Sequence, residues 1–126
     1  DPYTTKVFAM YGQLAGTATL NGKLVNGINY WREGSITFDI QDVPQDGIYQ
    51  LHTHYRSYGT KGYSFAVTVN NGTKGVVQIP VSTVGDDTVV SNIELTRGNN
   101  RIIISGGSGI NDGWAPDFNY FIITNH

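Results

Sequence analysis

Residues 35–55 decide the fold, and they read SITFDIQDVPQDGIYQLHTHY from Ser35 to Tyr55. Two runs of alternating apolar and polar side chains, residues 35–40 and 48–55, flank Pro44 and an Asp46-Gly47 turn. Alternation with a period of two puts the apolar side chains on one face of an extended strand. The apolar faces hold Ile36, Phe38 and Ile40 in the first run and Tyr49, Leu51, Thr53 and Tyr55 in the second, opposite Gln50, His52 and His54. The stretch therefore predicts two strands, each with one buried face.

The same period covers the rest of the chain. Asn21-Gly22 and Asn70-Asn71-Gly72 are hairpin turn signals, and the run Ile102-Ile103-Ile104 predicts a strand covered on both faces. No window keeps apolar residues at helical spacing for three turns. Further strands are predicted at residues 6–11, 17–20, 63–69, 74–79, 88–95, 101–105 and 118–123. Since one sheet cannot bury so many apolar faces, the sequence predicts an all-β fold, a two-sheet antiparallel β-sandwich.

Composition narrows the class of protein. The chain has 126 residues, enough for one domain, with 39% hydrophobic and 14% charged residues and a net charge of -2. Lysine and arginine do not cluster, so we expect neither nucleic acid nor a membrane surface as a partner. The apolar runs are too short to span a membrane. Cysteine is absent, which argues against disulfides and structural zinc. A start at Asp1 without methionine indicates one module of a longer polypeptide.

The segment Ser105 to Thr124 is the candidate binding element. It runs from a Gly-rich polar loop through Trp114 and Pro116 into a hydrophobic strand, and loops on rigid scaffolds commonly carry binding sites. A tryptophan ring offers a flat apolar surface to a ligand, and Asn111 and Asp112 offer hydrogen-bonding groups beside it. Gly113 and the polar neighbours favour an exposed Trp114 over one folded back into the sandwich.

Other aromatic residues are candidates for the same site. Tyr30 and Trp31 precede a strand; if the segment is extended, one should face a ligand and the other the core. Tyr58 lies in the polar loop after residue 55 and is a third candidate. Asn119 is interpreted as a buried side chain that hydrogen-bonds backbone rather than as a ligand contact.

Catalysis and metal binding are not expected. His52 and His54 have a spacing that suits a metal, but no third ligand is evident, so we interpret them as surface residues. Glycoside hydrolysis needs two acids across a cleft, and the only acids near the candidate loop are Glu33, Asp112 and Asp117.

Four motifs resemble carbohydrate-binding modules of families 35 and 6, in order over residues 8–124. Residues 46–51, DGIYQL, with Tyr55, resemble a G-x-Y-x-L…Y strand, and residues 67–72, VTVNNG, resemble a V-N-G hairpin. Residues 95–102, LTRGNNRI, resemble an L-x-x-G-x-N-x-I turn. Residues 111–120, NDGWAPDFNY, are similar to a G-W-x-P-x-x-D-Y-I ending, most like family 35.

The resemblance implies that residues 1–126 form one non-catalytic carbohydrate-binding module of the β-sandwich, jelly-roll type, with a polysaccharide or oligosaccharide bound in loops at one end. It implies a secreted, extracellular, monomeric module joined covalently to the catalytic domain of a glycoside hydrolase. The family range includes uronic acids, β-mannan, galactosyl units, xylan and α-glucans.

Two departures from the family pattern carry expectations. The family's N-terminal glutamates hold calcium with a late aspartate, but residues 8–11 here are Phe-Ala-Met-Tyr and Asn119 replaces the aspartate. Calcium prefers several hard oxygen ligands, so we expect this site to be lost and the module to need no cofactor. Members that bind uronic acids use calcium or basic side chains, and the sequence places no basic residue near Trp114. We therefore expect a neutral plant cell-wall polysaccharide, β-mannan first.

Two alternatives stay open. The sandwich could be a structural or interaction module in which Trp114 docks a neighbouring domain of the parent enzyme. It could also be a small glycan-processing enzyme, which turnover by the isolated domain would reveal.

Overall fold

The computed structural model describes residues 2–59, 61–81 and 84–126, which form two antiparallel sheets packed face to face. The first sheet contains β1 (Thr4–Phe8), β3 (Thr19–Asn21), β4 (Leu24–Asn26), β6 (Gly47–Ser57), β9 (Gly85–Leu95) and β11 (Asp117–Thr124). Its order is β3-β4-β11-β6-β9, with β1 paired to the C-terminal half of β11. The predicted all-β sandwich is confirmed.

The second sheet contains β2 (Gln13–Ala15), β5 (Ser35–Val43), β7 (Tyr63–Val69), β8 (Gly75–Ile79) and β10 (Gly98–Gly106). Its order is β2-β5-β10-β7-β8. Short 3₁₀ turns cover Ala9–Tyr11 and Ile110–Gly113. No helix among the described residues has the length and apolar character needed to cross a membrane.

The core lies between the sheets and follows the alternation seen in residues 35–55. The residues on the predicted apolar faces of both runs are buried, and the histidines of β6 are only half-buried on its outer face. Aromatic rings link the two layers: Phe118 contacts Phe65 at 5.2 Å between ring centres and Phe121 at 5.8 Å, and Phe121 stacks on Phe38 at 5.2 Å. Such contacts add to the hydrophobic free energy of the buried rings. The start of β11 is therefore anchored in the core.

The N-terminal strand is shorter than predicted. β1 ends at Phe8, and Ala9 begins a 3₁₀ turn in which the Gly12 N–H donates to the Ala9 carbonyl over 3.0 Å. A Cβ on Gly12 would lie 2.6 Å from Ile36 Cγ2, so the chain approaches β5 there more closely than a larger residue allows. The strand with Ile102-Ile103-Ile104 was predicted to be covered on both faces. Ile102 and Ile104 are buried, but Ile103 on the opposite face is only half-buried.

Strand register brings three connections to one end of the sandwich. Ser105 of β10 pairs with Ser35, and Gly106 pairs with Phe65, so the start of β5, the start of β7 and the end of β10 meet. In the other sheet, Asp117 pairs with Arg56, which places the end of β6 beside the start of β11. The β4–β5, β6–β7 and β10–β11 connections therefore surround a common volume.

Candidate functional site

Glycines at the end of β10 let the chain lie directly against β7 and the β4–β5 connection. A Cβ on Gly106 would lie 2.5 Å from Tyr30 N and Cα, and one on Gly107 would lie 2.7 Å from Phe65 N. Contacts under 3.0 Å with backbone require the backbone to move. The glycines of this loop therefore fix it against β7 and the β4–β5 turn.

The loop then turns through three consecutive left-handed residues. The φ angles are 52° at Asn111, 67° at Asp112 and 81° at Gly113, a region that Asn, Asp and Gly tolerate best. Buried Asn29 holds this turn: its Nδ2 donates to the Asp112 carbonyl over 3.0 Å, and its Oδ1 accepts from Trp31 N–H over 2.8 Å.

Backbone hydrogen bonds fix both sides of Trp114. Tyr30 N–H donates to the Gly113 carbonyl over 2.8 Å, and Ala115 N–H donates to the Ile28 carbonyl over 3.0 Å. Trp114 is consequently held in an extended bridge against the β4–β5 connection, and its side chain remains 36% exposed. The loop is built before any ligand arrives.

A cavity of about 200 Å³ lies between this loop and the β6–β7 connection. Aromatic, amide and charged side chains line it, which is the combination used to bind polar ligands with flat apolar faces. Its lining residues are Tyr58, Lys61, Tyr63, Asn111, Trp114, Ala115 and Asp117. Of the residues predicted to bind, Trp114, Asn111 and Tyr58 share this cavity.

Asp117 contributes a buried carboxylate to the cavity. Only 9% of the residue is exposed; Tyr58 donates its hydroxyl proton to Oδ2 over 2.7 Å, and Oδ1 accepts no hydrogen bond from a described residue. Burial raises the pKa of Asp117, against the lowering effects of the Tyr58 hydrogen bond and the Arg56 charge. The hydrogen bond to Asp117, followed by burial, raises the pKa of Tyr58. One carboxylate oxygen is therefore available as an acceptor.

Two bonds join the loops beside the cavity. Lys61 Nζ forms an ion pair with Asp112 Oδ2, and Asn111 Nδ2 donates to the Gly62 carbonyl over 3.3 Å. Asp112 thus lies next to the cavity but its carboxylate contacts Lys61.

The expectation that no basic side chain lies near Trp114 is wrong. The Arg32 guanidinium lies 5.1 Å from the centre of the Trp114 ring, within cation–π range, and Lys61 lines the cavity. Both residues come from other connections, so their distance along the chain concealed them. Arg32 is not among the lining residues of the cavity.

Tyr30 and Trp31 lie at the same end but outside the cavity lining. The segment forms a turn, closed by Arg32 N–H donating to the Asn29 carbonyl over 3.0 Å, so the alternation of an extended strand does not apply. Both rings are exposed, Tyr30 at 48% and Trp31 at 70%, and pack edge to face at 4.8 Å. The expectation that one of them fills the core is wrong.

The residues that correspond to the family's calcium ligands lie at 8–11 and at Asn119. Residues 8–11 offer no carboxylate, with Ala9 buried, and no cluster of three His, Cys, Asp or Glu among the described residues could hold a metal. The loss of the family's calcium site stays a prediction. Asn119 is half-buried, and its side chain makes no hydrogen bond within the described chain, so the expected backbone-bonded side chain is wrong. His54 bonds Thr88 on the outer face of the first sheet.

Solved structures show which fold this is. The chain is similar to a family 35 carbohydrate-binding module from Clostridium thermocellum, with a TM-score of 0.80 and 19% identity over 94% of this chain and 97% of that one. No protein-family model matches the sequence, and no curated protein sequence does. The chain therefore has the β-sandwich fold of family 35 modules, and the fold expected from the motifs is confirmed.

Parts of larger enzymes are similar too. An exo-β-1,3-galactanase from Phanerochaete chrysosporium matches with a TM-score of 0.80 and 24% identity over 96% of this chain. A GH26-CBM35 β-(1,4)-mannanase from Podospora anserina matches with a TM-score of 0.75 and 22% identity over 95% of it. The match spans only 29% and 27% of those enzymes' chains.

Proposed function

We propose that this protein is a non-catalytic polysaccharide-binding module that holds an attached glycoside hydrolase on a plant cell-wall polysaccharide. The observation that carries the proposal is the cavity at the loop end, which both Trp114 and the buried carboxylate of Asp117 line. A sugar ring presents an apolar C–H face and equatorial hydroxyls, and the cavity offers one surface for each.

Each lining group has a separate role in this proposal. Trp114 stacks on the ring, Asp117 Oδ1 accepts from hydroxyls, and Lys61 or Asn111 donates to them. Tyr58 holds the Asp117 carboxylate in place through its hydroxyl. Hydrogen bonds to a charged group are the stronger ones, at about 1.5–3 kcal/mol each.

The charges of the cavity favour a neutral sugar. Asp112 pairs with Lys61, which leaves Asp117 as the lining carboxylate without an ion-pair partner among the lining residues. A uronic acid would bring a second carboxylate into the same small volume and be repelled. The positive charge of Arg32, 5.1 Å from the centre of the Trp114 ring, opposes this preference. We keep β-mannan as the first ligand to test and β-1,3-galactan as the second, because two similar structures are enzymes named for these polymers.

Attachment to an enzyme would make binding at this site useful. A tethered module converts substrate encounter into an intramolecular event, raising the effective concentration of polysaccharide near the catalytic domain. The similar regions of the galactanase and the mannanase are likewise a minor part of longer chains.

Calorimetric titration against β-mannan, β-1,3-galactan, xylan and polygalacturonate tests the proposal. We expect binding to a neutral polymer and none to polygalacturonate. Binding to polygalacturonate alone would overturn the neutral assignment, and no binding to any polymer would remove the function. The chain has two tryptophans, Trp31 and Trp114, both at this end, so intrinsic fluorescence should shift on ligand binding.

The exposed Trp31 favours a second candidate function, docking onto a neighbouring domain of the parent enzyme. Its ring is 70% exposed and outside the cavity, as expected of a residue that anchors a protein contact. In that case Trp31→Ala would free the module from the catalytic domain in limited proteolysis while oligosaccharide affinity stays intact.

A further inference from the structure

The β7–β8 hairpin has a tight turn formed by two asparagines. Gly72 N–H donates to the Val69 carbonyl over 2.9 Å, and the two central residues, Asn70 and Asn71, have φ angles of 52° and 59°. Positive φ at both central positions is the property of a type I′ turn, and asparagine is one of the few residues that tolerate it. The turn therefore accounts for an asparagine at both positions.

The two asparagine side chains differ in what they contact. Asn70 Nδ2 donates to Asn100 Oδ1 over 2.8 Å, and Asn70 Oδ1 accepts from Arg101 N–H over 2.8 Å. Asn71 is exposed, and its side-chain amide makes no hydrogen bond to another described residue. Asn70 thus ties the hairpin to β10, whereas the Asn71 amide is open to solvent.

The turn does not require Thr73. This residue follows the turn and is exposed, and its hydroxyl makes no hydrogen bond to any residue that the structure describes. With Asn71 and Gly72 it completes an Asn-x-Thr sequence in which x is not proline, the acceptor sequence for asparagine-linked glycosylation. No other asparagine of the sequence is followed two residues later by serine or threonine.

We propose that Asn71 is the acceptor of an asparagine-linked glycan. The donor is a lipid-linked oligosaccharide diphosphate of a eukaryotic secretory pathway. The Asn71 amide nitrogen loses a proton and forms a bond to C1 of the first sugar, while the bond from C1 to the diphosphate oxygen breaks and the lipid diphosphate leaves. This modification is independent of the proposed sugar-binding function.

The folded protein has room for a glycan at this position. Asn71, Gly72 and Thr73 are all exposed. The Asn71 side chain borders a cavity of about 380 Å³ whose lining residues are all asparagine, glutamine, aspartate or arginine. Sugars attached to Asn71 would therefore cover polar surface, and no apolar side chain need move to admit them.

The turn also lies at the opposite end of the sandwich from the Trp114 cavity. β7 begins at Tyr63, which lines that cavity, and ends at Val69, where the turn begins; the two are about 20 Å apart at about 3.3 Å per residue. A glycan on Asn71 therefore leaves the cavity accessible. It lies beside β8 instead, an edge strand without charged residues, where its bulk hinders pairing with another copy of the chain.

Secretion of the 126-residue chain from a eukaryotic expression host tests the proposal. We expect Asn71 to carry a glycan that peptide N-glycosidase releases from the folded protein without denaturant, because the turn is exposed. Release converts Asn71 to aspartate, which peptide mass spectrometry locates. A secreted chain with unmodified Asn71 would overturn the proposal, and release only after unfolding would overturn the placement of the glycan on open surface.

Thr73→Ala is the informative variant, because it removes the acceptor sequence but keeps both asparagines of the turn. It should be secreted without a glycan, whereas the matched control Thr73→Ser should keep one. A glycan that persists in Thr73→Ala would overturn Asn71 as the acceptor. For a polysaccharide that binds, Kd should agree within about twofold before and after glycan release, and weaker binding by the glycosylated form would contradict the position of Asn71 away from the cavity.

Discussion

Replacing Trp114 tests the stacking surface, and leucine is the informative substitution. The residue is 36% exposed, so nearly two-thirds of it is buried in the fold. For a tryptophan of about 250 Å², alanine would forfeit about 160 Å² of buried surface, up to about 4 kcal/mol at about 25 cal/mol per Å². Leucine keeps most of this apolar contact while removing the flat ring.

The exposed part of the ring sets the expected loss in affinity. It amounts to about 90 Å² of the same tryptophan area, and Arg32 lies over part of it, 5.1 Å from the ring centre. If a sugar covers between half and all of that surface, stacking contributes about 1–2 kcal/mol. Trp114→Leu should therefore weaken binding roughly 5- to 30-fold.

Calorimetric titration of the polysaccharide that binds measures this loss, with thermal unfolding as the check on folding. Trp114→Phe keeps a flat ring and should retain most of the affinity. Tyr11→Leu is the matched control, since Tyr11 is 78% exposed and lies in the 3₁₀ turn after β1. A folded Trp114→Leu protein with a Kd within about twofold of wild type would refute the assignment of Trp114 to the site.

Three other predictions follow from the same contacts. Asp117→Asn should weaken sugar binding but raise Tm. Burial raises the pKa of Asp117 in the folded protein above its ordinary 3.8, so ionisation of this carboxyl destabilises the fold as pH rises. The Tm difference between variant and wild type should therefore grow from acid to neutral pH, and a lower Tm of the variant at neutral pH would contradict this. Gly106→Ala should lower Tm, since its Cβ would lie 2.5 Å from Tyr30 backbone. Chelation with EDTA should leave Tm unchanged, and a drop would reveal a calcium site.

The fold was predictable because its information is local. Alternation in residues 35–55 assigned the buried face of β5 and β6 correctly, residue by residue, and Asn70-Asn71-Gly72 identified the β7–β8 hairpin. The end of β1 was not predictable, because a tertiary contact decides it: Gly12 packs against Ile36 of another strand. Local pattern cannot report such a contact.

The candidate site was predictable only in part, for the same reason. Trp114 and Asn111 share a segment with an obvious loop signature, whereas Lys61 and Arg32 reach the site from distant connections. Asp117 opens a buried strand, so the sequence did not predict it as a binding group. Its burial is compatible with the proposed binding role, because Asp117 lines the cavity beside Trp114.

The close contacts of the loop explain how so small a site could bind at all. Ordering a flexible loop costs about 1–2 kcal/mol per residue, which would cancel the stacking free energy of one indole. Here the loop is already ordered in the folded protein. Gly106 and Gly107 lie directly on Tyr30 and Phe65. Asn29 and Ile28 hydrogen-bond the turn around Trp114. The ligand then meets a rigid wall, and most of its contact free energy appears as affinity. By this reasoning, substitutions that loosen the loop should weaken binding even when they touch no sugar.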